Sequence, residues 1–207
     1  MVNSKAGRRL LAGGAAAGGA IALALAGALP AATAAPAASS SWHIVKETHS
    51  DAAYGFGAVA AASKNTIWAF DTGKNPAAWR RTGSTWKRFA VPGPVFSASA
   101  TSTSNVWAVT LTGKVLRWTG AGWVVNHKIK GGGQIQALGP RDVWVFGGSA
   151  WYHYNGRTWS RVVSAPGPVS TASALSDSDI WSFGRTTVAH WNGHALTRTS
   201  VKKEAMP

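Results

Sequence analysis

Residues Asp142–Trp159 read D-V-W-V-F-G-G-S-A-W-Y-H-Y-N-G-R-T-W. Met once, this run of aromatics with a histidine and an Asn-Gly turn would pass for a binding or catalytic site. It is met four times. Asp142-Val143-Trp144 has counterparts at Thr66-Ile67-Trp68, Asn105-Val106-Trp107 and Asp179-Ile180-Trp181, so the Trp positions 68, 107, 144 and 181 step by 39, 37 and 37 residues. An alanine stands seven residues before each: Ala61, Ala100, Ala137 and Ala174. The turn Asn155-Gly156 recurs at Thr82-Gly83, Thr119-Gly120 and Asn192-Gly193, and three residues after each glycine come Trp86, Trp123, Trp159 and Leu196. Pro-Gly-Pro-Val stands at Pro92–Val95 and again at Pro166–Val169. Several features that hold one phase through four copies define a repeat architecture.

One copy predicts its own fold. In the last repeat, Val169–Leu175 reads as a strand, Asp177-Ser178-Asp179 as a turn, and Ile180–Phe183 as a second strand. Gly184-Arg185 turns the chain into Thr187–Trp191, and Asn192-Gly193 turns it again into Ala195–Val201. Asn and Gly tolerate the positive φ that a tight hairpin demands. No window from residue 42 onward keeps a helical period, and Gly, Ser and Thr punctuate it too often for helices. Four short antiparallel strands in about 37 residues is the size of one propeller blade. The expected fold class is therefore all-β: a β-propeller-like array of four four-stranded blades over residues 42–201, with an extra N-terminal strand at Trp42–Lys46.

The pattern D-V-W-x-x-G followed by H-aromatic-N-G-x-x-W resembles the β-propeller repeats of secreted actinobacterial proteins, most of them of unknown role. The resemblance spans Ser41–Val201 and implies a propeller-like fold and no particular reaction, because propellers host many activities. The last repeat looks complete, which leaves Trp42–Lys46 surplus. Four blades close a ring only with tight curvature. The expectation is an open arc, a pair of chains sharing one ring, or a truncated copy of a longer gene product; an open arc leaves a blade face and strand edges exposed for self-association.

The N-terminal segment reads differently. Met1–Arg9 carries Lys5, Arg8 and Arg9 with no acid, Leu10–Leu29 is apolar and rich in Ala and Gly, Pro30 breaks it, and Ala32-Thr33-Ala34 offers a small-x-small cleavage site. This is the plan of a secretory signal peptide over residues 1–34, followed by an Ala/Ser linker at 35–41 and, after the repeats, a tail at 202–207. A membrane anchor over Leu10–Ala35 is the competing reading, disfavoured by the weak hydrophobicity of Ala and Gly. Gly7-Arg8-Arg9-Leu10-Leu11 resembles a twin-arginine signal without its full consensus, so both that route and the general secretory route stay open.

Composition narrows the chemistry. The chain of 207 residues has no cysteine, which removes disulfides, thiolate metal sites and a cysteine nucleophile. Its 12 Trp can supply a core instead. Net charge is +14, and +11 once Lys5, Arg8 and Arg9 are removed with the signal segment. The bases are scattered, without the dense arm that nucleic-acid binding favours.

The candidate site residues form one column and one outlier. Arg80, Arg117, His153 and His190 each lie one residue before the turn-side aromatic position, and could line one surface as an anion- or glycan-binding row. The competing reading makes them hydrogen-bond partners between blades, bonded to the turn Asp or Asn. Trp79, in the irregular stretch after Asp71, is the candidate for an exposed sugar-stacking platform. Trp68, Trp107, Trp144 and Trp181 read as blade-to-blade packing, and Trp151 as core. Asp142 and Asp179 read as structural acceptors of backbone N–H groups, because Asn105 and Thr66 replace them. His43, His49, His127 and His194 are isolated. No zincin, nucleophile-elbow or phosphate-loop motif is present. The sequence thus predicts a secreted, non-catalytic module without cofactor or metal. Its expected partner is an anionic envelope polymer or glycan, with no nucleic acid and no membrane span after cleavage. The alternatives are a protein-interaction or self-assembling scaffold and, third, a secreted polysaccharide-active enzyme.

Overall fold

The computed structural model of the chain describes residues 55–165 and 167–201. The signal segment 1–34, the linker 35–41, the strand expected at Trp42–Lys46, His43, His49 and the tail 202–207 lie outside the described residues. What is described is four antiparallel sheets of four consecutive strands each. Blade 1 comprises β1 (Phe56–Ser63), β2 (Thr66–Asp71), β3 (Ala77–Thr82) and β4 (Thr85–Ala90). Blade 2 comprises β5 (Val95–Ala100), β6 (Val106–Thr110), β7 (Lys114–Trp118) and β8 (Trp123–Lys128). Blade 3 comprises β9 (Gly133–Gly139), β10 (Asp142–Gly147), β11 (Ala150–Tyr154) and β12 (Trp159–Ser164), and blade 4 comprises β13 (Thr171–Ser176), β14 (Asp179–Phe183), β15 (Thr187–Trp191) and β16 (Leu196–Ser200).

Local chemistry explains the strand ends. The turns between third and fourth strands span four residues in blades 2, 3 and 4, longer than the two-residue hairpin that Asn-Gly alone predicts. In blade 2 Thr119 Oγ1 accepts the N–H groups of Ala121 and Gly122, and in blades 3 and 4 an Asn side chain does the same work. Asn155 Oδ1 accepts the N–H groups of Arg157 and Thr158, both at 3.0 Å, and Asn192 Oδ1 accepts those of His194 and Ala195. This closes an Asx turn around a glycine at φ +96° in Gly156 and +89° in Gly193, where a side chain would be strained.

Because side chains alternate along each strand, every blade has two faces. The leading face of blade 2, with Val106, Ala108, Leu116 and Trp118, packs with Trp68, Phe70 and Ala78 on the trailing face of blade 1. The trailing face of blade 2, with Trp107, Val109 and Val115, packs with Val143, Val145 and Tyr154 of blade 3. Trp144, Phe146 and Trp151 then meet Ala174, Ile180 and Trp191 of blade 4. Three cores, each between successive blades, hold the array. Polar groups pin the innermost strands in register: Ser99 Oγ accepts the Ala137 N–H at 3.0 Å, and Gln136 both accepts the Ala174 N–H and donates to its carbonyl, each at 2.8 Å.

The arc is open. Trp68, Trp107 and Trp144 are 0, 0 and 2% exposed, but Trp181 is 42% exposed, because no fifth blade follows it among the described residues. The expectation that all four Trp residues are blade-to-blade packing is corrected at this position. Trp151 is fully buried, as its alignment with apolar positions predicts.

Candidate functional site

The column Arg80, Arg117, His153 and His190 sits on the third strand of each blade, directly across the ladder from the repeated Trp. Cross-strand partners share a face, so each of these side chains lies on its own blade's indole. His153 stacks on Trp144 with centroids 4.5 Å apart, and His190 on Trp181 at 4.1 Å. The Arg117 guanidinium lies 5.3 Å from the Trp107 ring, and that of Arg80 lies 5.6 Å from Trp68. These are stacking and cation–π contacts.

A third residue completes each trio. Asp142 Oδ1 accepts the indole N–H of Trp144 at 3.0 Å and lies 2.9 Å from His153 Nε2. Asp179 repeats both contacts, at 3.1 Å to Trp181 and 2.9 Å to His190. Acceptance by a carboxylate places a proton on each His Nε2. In blade 2, Asn105 Oδ1 takes the Trp107 indole N–H at 2.8 Å. In blade 1 the position is Thr66, and both Trp68 Nε1 and Arg80 Nε are buried without a partner. The Asp and Asn residues are structural acceptors, but of indole and imidazole N–H groups rather than the turn backbone. The hydrogen bonds run within a blade, not between blades. The column does not form an exposed row: His153 and His190 keep only 23 and 30% of their side-chain surface, and Arg80 and Arg117 are half-buried. The sequence signal for the trio was present in three of the four repeats, as an Asp or Asn two residues before the Trp, with an Arg or His across the hairpin.

Trp79 is not in a loop. It lies in β3, half-buried on the leading face of blade 1, and its indole N–H donates to Asp71 Oδ2 at 2.9 Å. The other oxygen of Asp71 accepts the Ala77 N–H at 3.0 Å, so the carboxylate fixes the ring. His127 stacks on Trp159 at 5.1 Å with planes 12° apart, and burial without a partner on Nε2 pushes its pKa below the usual histidine value. His194 is exposed. Among the described residues, no three His, Cys, Asp or Glu side chains group to hold a metal ion, and no helix is long and apolar enough to cross a membrane. A cleft of about 180 Å³ lies at the foot of blade 4, between Pro168, Ser182 and Arg185, smaller than the usual small-molecule pocket.

The charge is distributed in an uneven way. Fifteen Lys and Arg stand among the described residues against four Asp, a net excess of eleven. Asp71, Asp142 and Asp179 are engaged by indole, backbone and histidine groups. Among the described residues no Lys or Arg lies within ion-pair distance of a carboxylate; the close contacts to Asp142 and Asp179 are those of His153 and His190. Outer strands carry exposed bases on every blade: Lys87 and Arg88, Lys128, Arg161, and Arg198.

Four-stranded blades stacked face to face define the class as a β-propeller-like repeat protein. Solved structures agree on the fold. The chain superposes on YCF48 from Cyanidioschyzon merolae with a TM-score of 0.58 at 16% identity, over 77% of this chain and 60% of that one. YCF48 bound to D1 peptide gives 0.56 at 15% identity, over 71% and 55%. The WD40 β-propeller domain of Doa1 gives 0.56 at 9% identity, over 70% and 54%. The chain thus spans 54 to 60% of the length of these structures. No protein-family profile and no curated protein sequence matches it.

Proposed function

We propose that this chain is an exported, non-catalytic propeller module that holds an anionic envelope polymer or glycan outside the cell. The observation that carries the reading is the uncompensated positive surface. Fifteen Lys and Arg lack a carboxylate partner among the described residues, and the outer strand of every blade presents at least one exposed base. A scattered field of this kind attracts a flexible polyanion along its length rather than one small ligand in one pocket. The basic, Ala-rich first 34 residues and the Ala32-Thr33-Ala34 site support export, as does the resemblance to secreted actinobacterial repeats.

The test is binding of the full chain to immobilised polygalacturonate, with neutral dextran as control, between about 0.05 and 1 M NaCl. Retention on the acidic polymer that falls steeply with salt, and none on dextran, is expected. Replacing Arg88, Arg161 and Arg198 by Glu should lower retention on the acidic polymer. Equal retention on both polymers, or retention unchanged at high salt, would refute an electrostatic partner.

A further inference from the structure

We propose that the uncovered trailing face of blade 4 docks the leading face of blade 1 from a second copy of this chain, head to tail. The partner is specified by the protein itself, since the same kind of interface is built three times inside one chain.

The trailing face of blade 4 keeps the residues of a covered face. Trp181 continues the column of Trp68, Trp107 and Trp144. Phe183 continues that of Phe70, Val109 and Phe146, which are at most 1% exposed, yet Phe183 is 45% exposed. Leu175 follows the column alanine as Ala62 and Leu138 do, and is 79% exposed. An apolar aromatic patch of this kind, on the last of the described blades, marks an association surface. Ser173 stands where Ser99 and Gln136 hold the backbone of the following blade, and has no side-chain hydrogen bond of its own among the described residues.

Blade 1 presents the complementary half. Val59, 65% exposed, together with Ala61, Ile67 and Trp79, occupies columns that in later blades lie against a preceding blade. The column alanines Ala137 and Ala174 bring their N–H groups to Ser99 and Gln136; Ala61 is the matching alanine for Ser173 of a second copy. One column changes chemistry. Where Trp118 and Tyr154 lie 4.7 and 5.2 Å from the preceding blade's Trp, blade 1 has Arg81. Against Trp181 and the half-exposed Asp179, an arginine gains both an aromatic face and a carboxylate, which none of the internal interfaces combines. The contact is heterologous, so it generates a ring or a filament. Closure at two copies would give eight blades, within the range of known propellers.

The proposal is independent of the polymer-binding reading and is tested without any polymer. Sedimentation velocity of the full chain, in about 0.15 M salt to screen repulsion between basic copies, should show concentration-dependent association. W181E and V59E should each sediment as monomers, with circular dichroism and melting like the parent. The decisive sample is their mixture. W181E retains the blade 1 face and V59E the blade 4 face, so the two form a one-to-one dimer and nothing larger. A parent chain that stays monomeric, a variant that still self-associates, or a mixture that stays monomeric at concentrations where the parent associates would overturn it.

Discussion

The indole N–H of Trp144 donates to Asp142 Oδ1 at 3.0 Å, and that same oxygen holds His153 against the face of the same indole. One carboxylate therefore satisfies a buried donor and orients the group stacked on it. Asp142→Ala leaves the Trp144 donor without a partner and should cost about 1–3 kcal/mol in urea unfolding. Asp142→Asn keeps an acceptor of the kind that Asn105 supplies in blade 2, and should cost less than about 1 kcal/mol. Equal losses from both variants would mean that charge, rather than acceptance, matters there.

Blade 1 lacks that acceptor, and Trp68 Nε1 is buried without one. Thr66→Asn recreates the residue types of blade 2, where Asn105, Trp107 and Arg117 stand together. It should raise stability by about 0.5–1.5 kcal/mol. A neutral or destabilising result would show that buried Thr66 has no room for the longer side chain.

The Trp column offers an internal control. Trp144 is buried between blades and Trp181 is not. Trp144→Ala should cost about 3–5 kcal/mol, whereas Trp181→Ala, measured at dilution where copies are separate, should cost less than half as much. Denaturation midpoints at matched protein concentration decide the comparison.

His127 gives stability an acid dependence of known sign. Its folded-state pKa lies below the ordinary value of 6.5, so the unfolded chain binds the proton more readily. Its contribution is fully present above pH 6.5 and is lost as pH falls from there toward the lower folded-state pKa. His127→Phe, which keeps a ring against Trp159, should flatten this part of the stability curve. An unchanged slope would assign the acid sensitivity to other groups.

Gly113 closes the turn between β6 and β7 at φ +86°, and an added Cβ would run into the carbonyl oxygens of Ile129 and Gly131. Both objections act together, and the obstacles are backbone. Gly113→Ala should lose more than about 1 kcal/mol, whereas the reverse sign is usual at unstrained glycines. Thermal melting of the variant checks it.

The phase of the repeat was written in the residues, and the four-strand blade followed from it. In the last repeat, expectation and structure differ by one or two residues at strand ends; at the start of β16 the reason is that Asn192 caps a longer turn than its dipeptide implies. Trp79 was misplaced because Asp71–Ala78 breaks the pattern by two residues; the Asp71 carboxylate that draws its indole back onto a strand is a tertiary contact. The column of Arg80, Arg117, His153 and His190 was visible as a column, but its direction was not. Alternation says that Arg117 and Trp118 face opposite ways, and only cross-strand register puts Arg117 beside Trp107. The exposure of Trp181 was hidden for a deeper reason. Its sequence context matches that of its buried counterparts, and burial depends on what comes next in space.

Each sheet is drawn wholly from consecutive strands, in the orders β1-β2-β3-β4 through β13-β14-β15-β16. No described blade borrows a strand from a distant part of the chain to complete its ladder. A segment of one repeat length could therefore be duplicated or deleted at a blade boundary with every backbone ladder left whole, and only one side-chain interface would need to be remade. Such a protein can change its length by genetic accident in steps of about 37 residues without breaking a sheet.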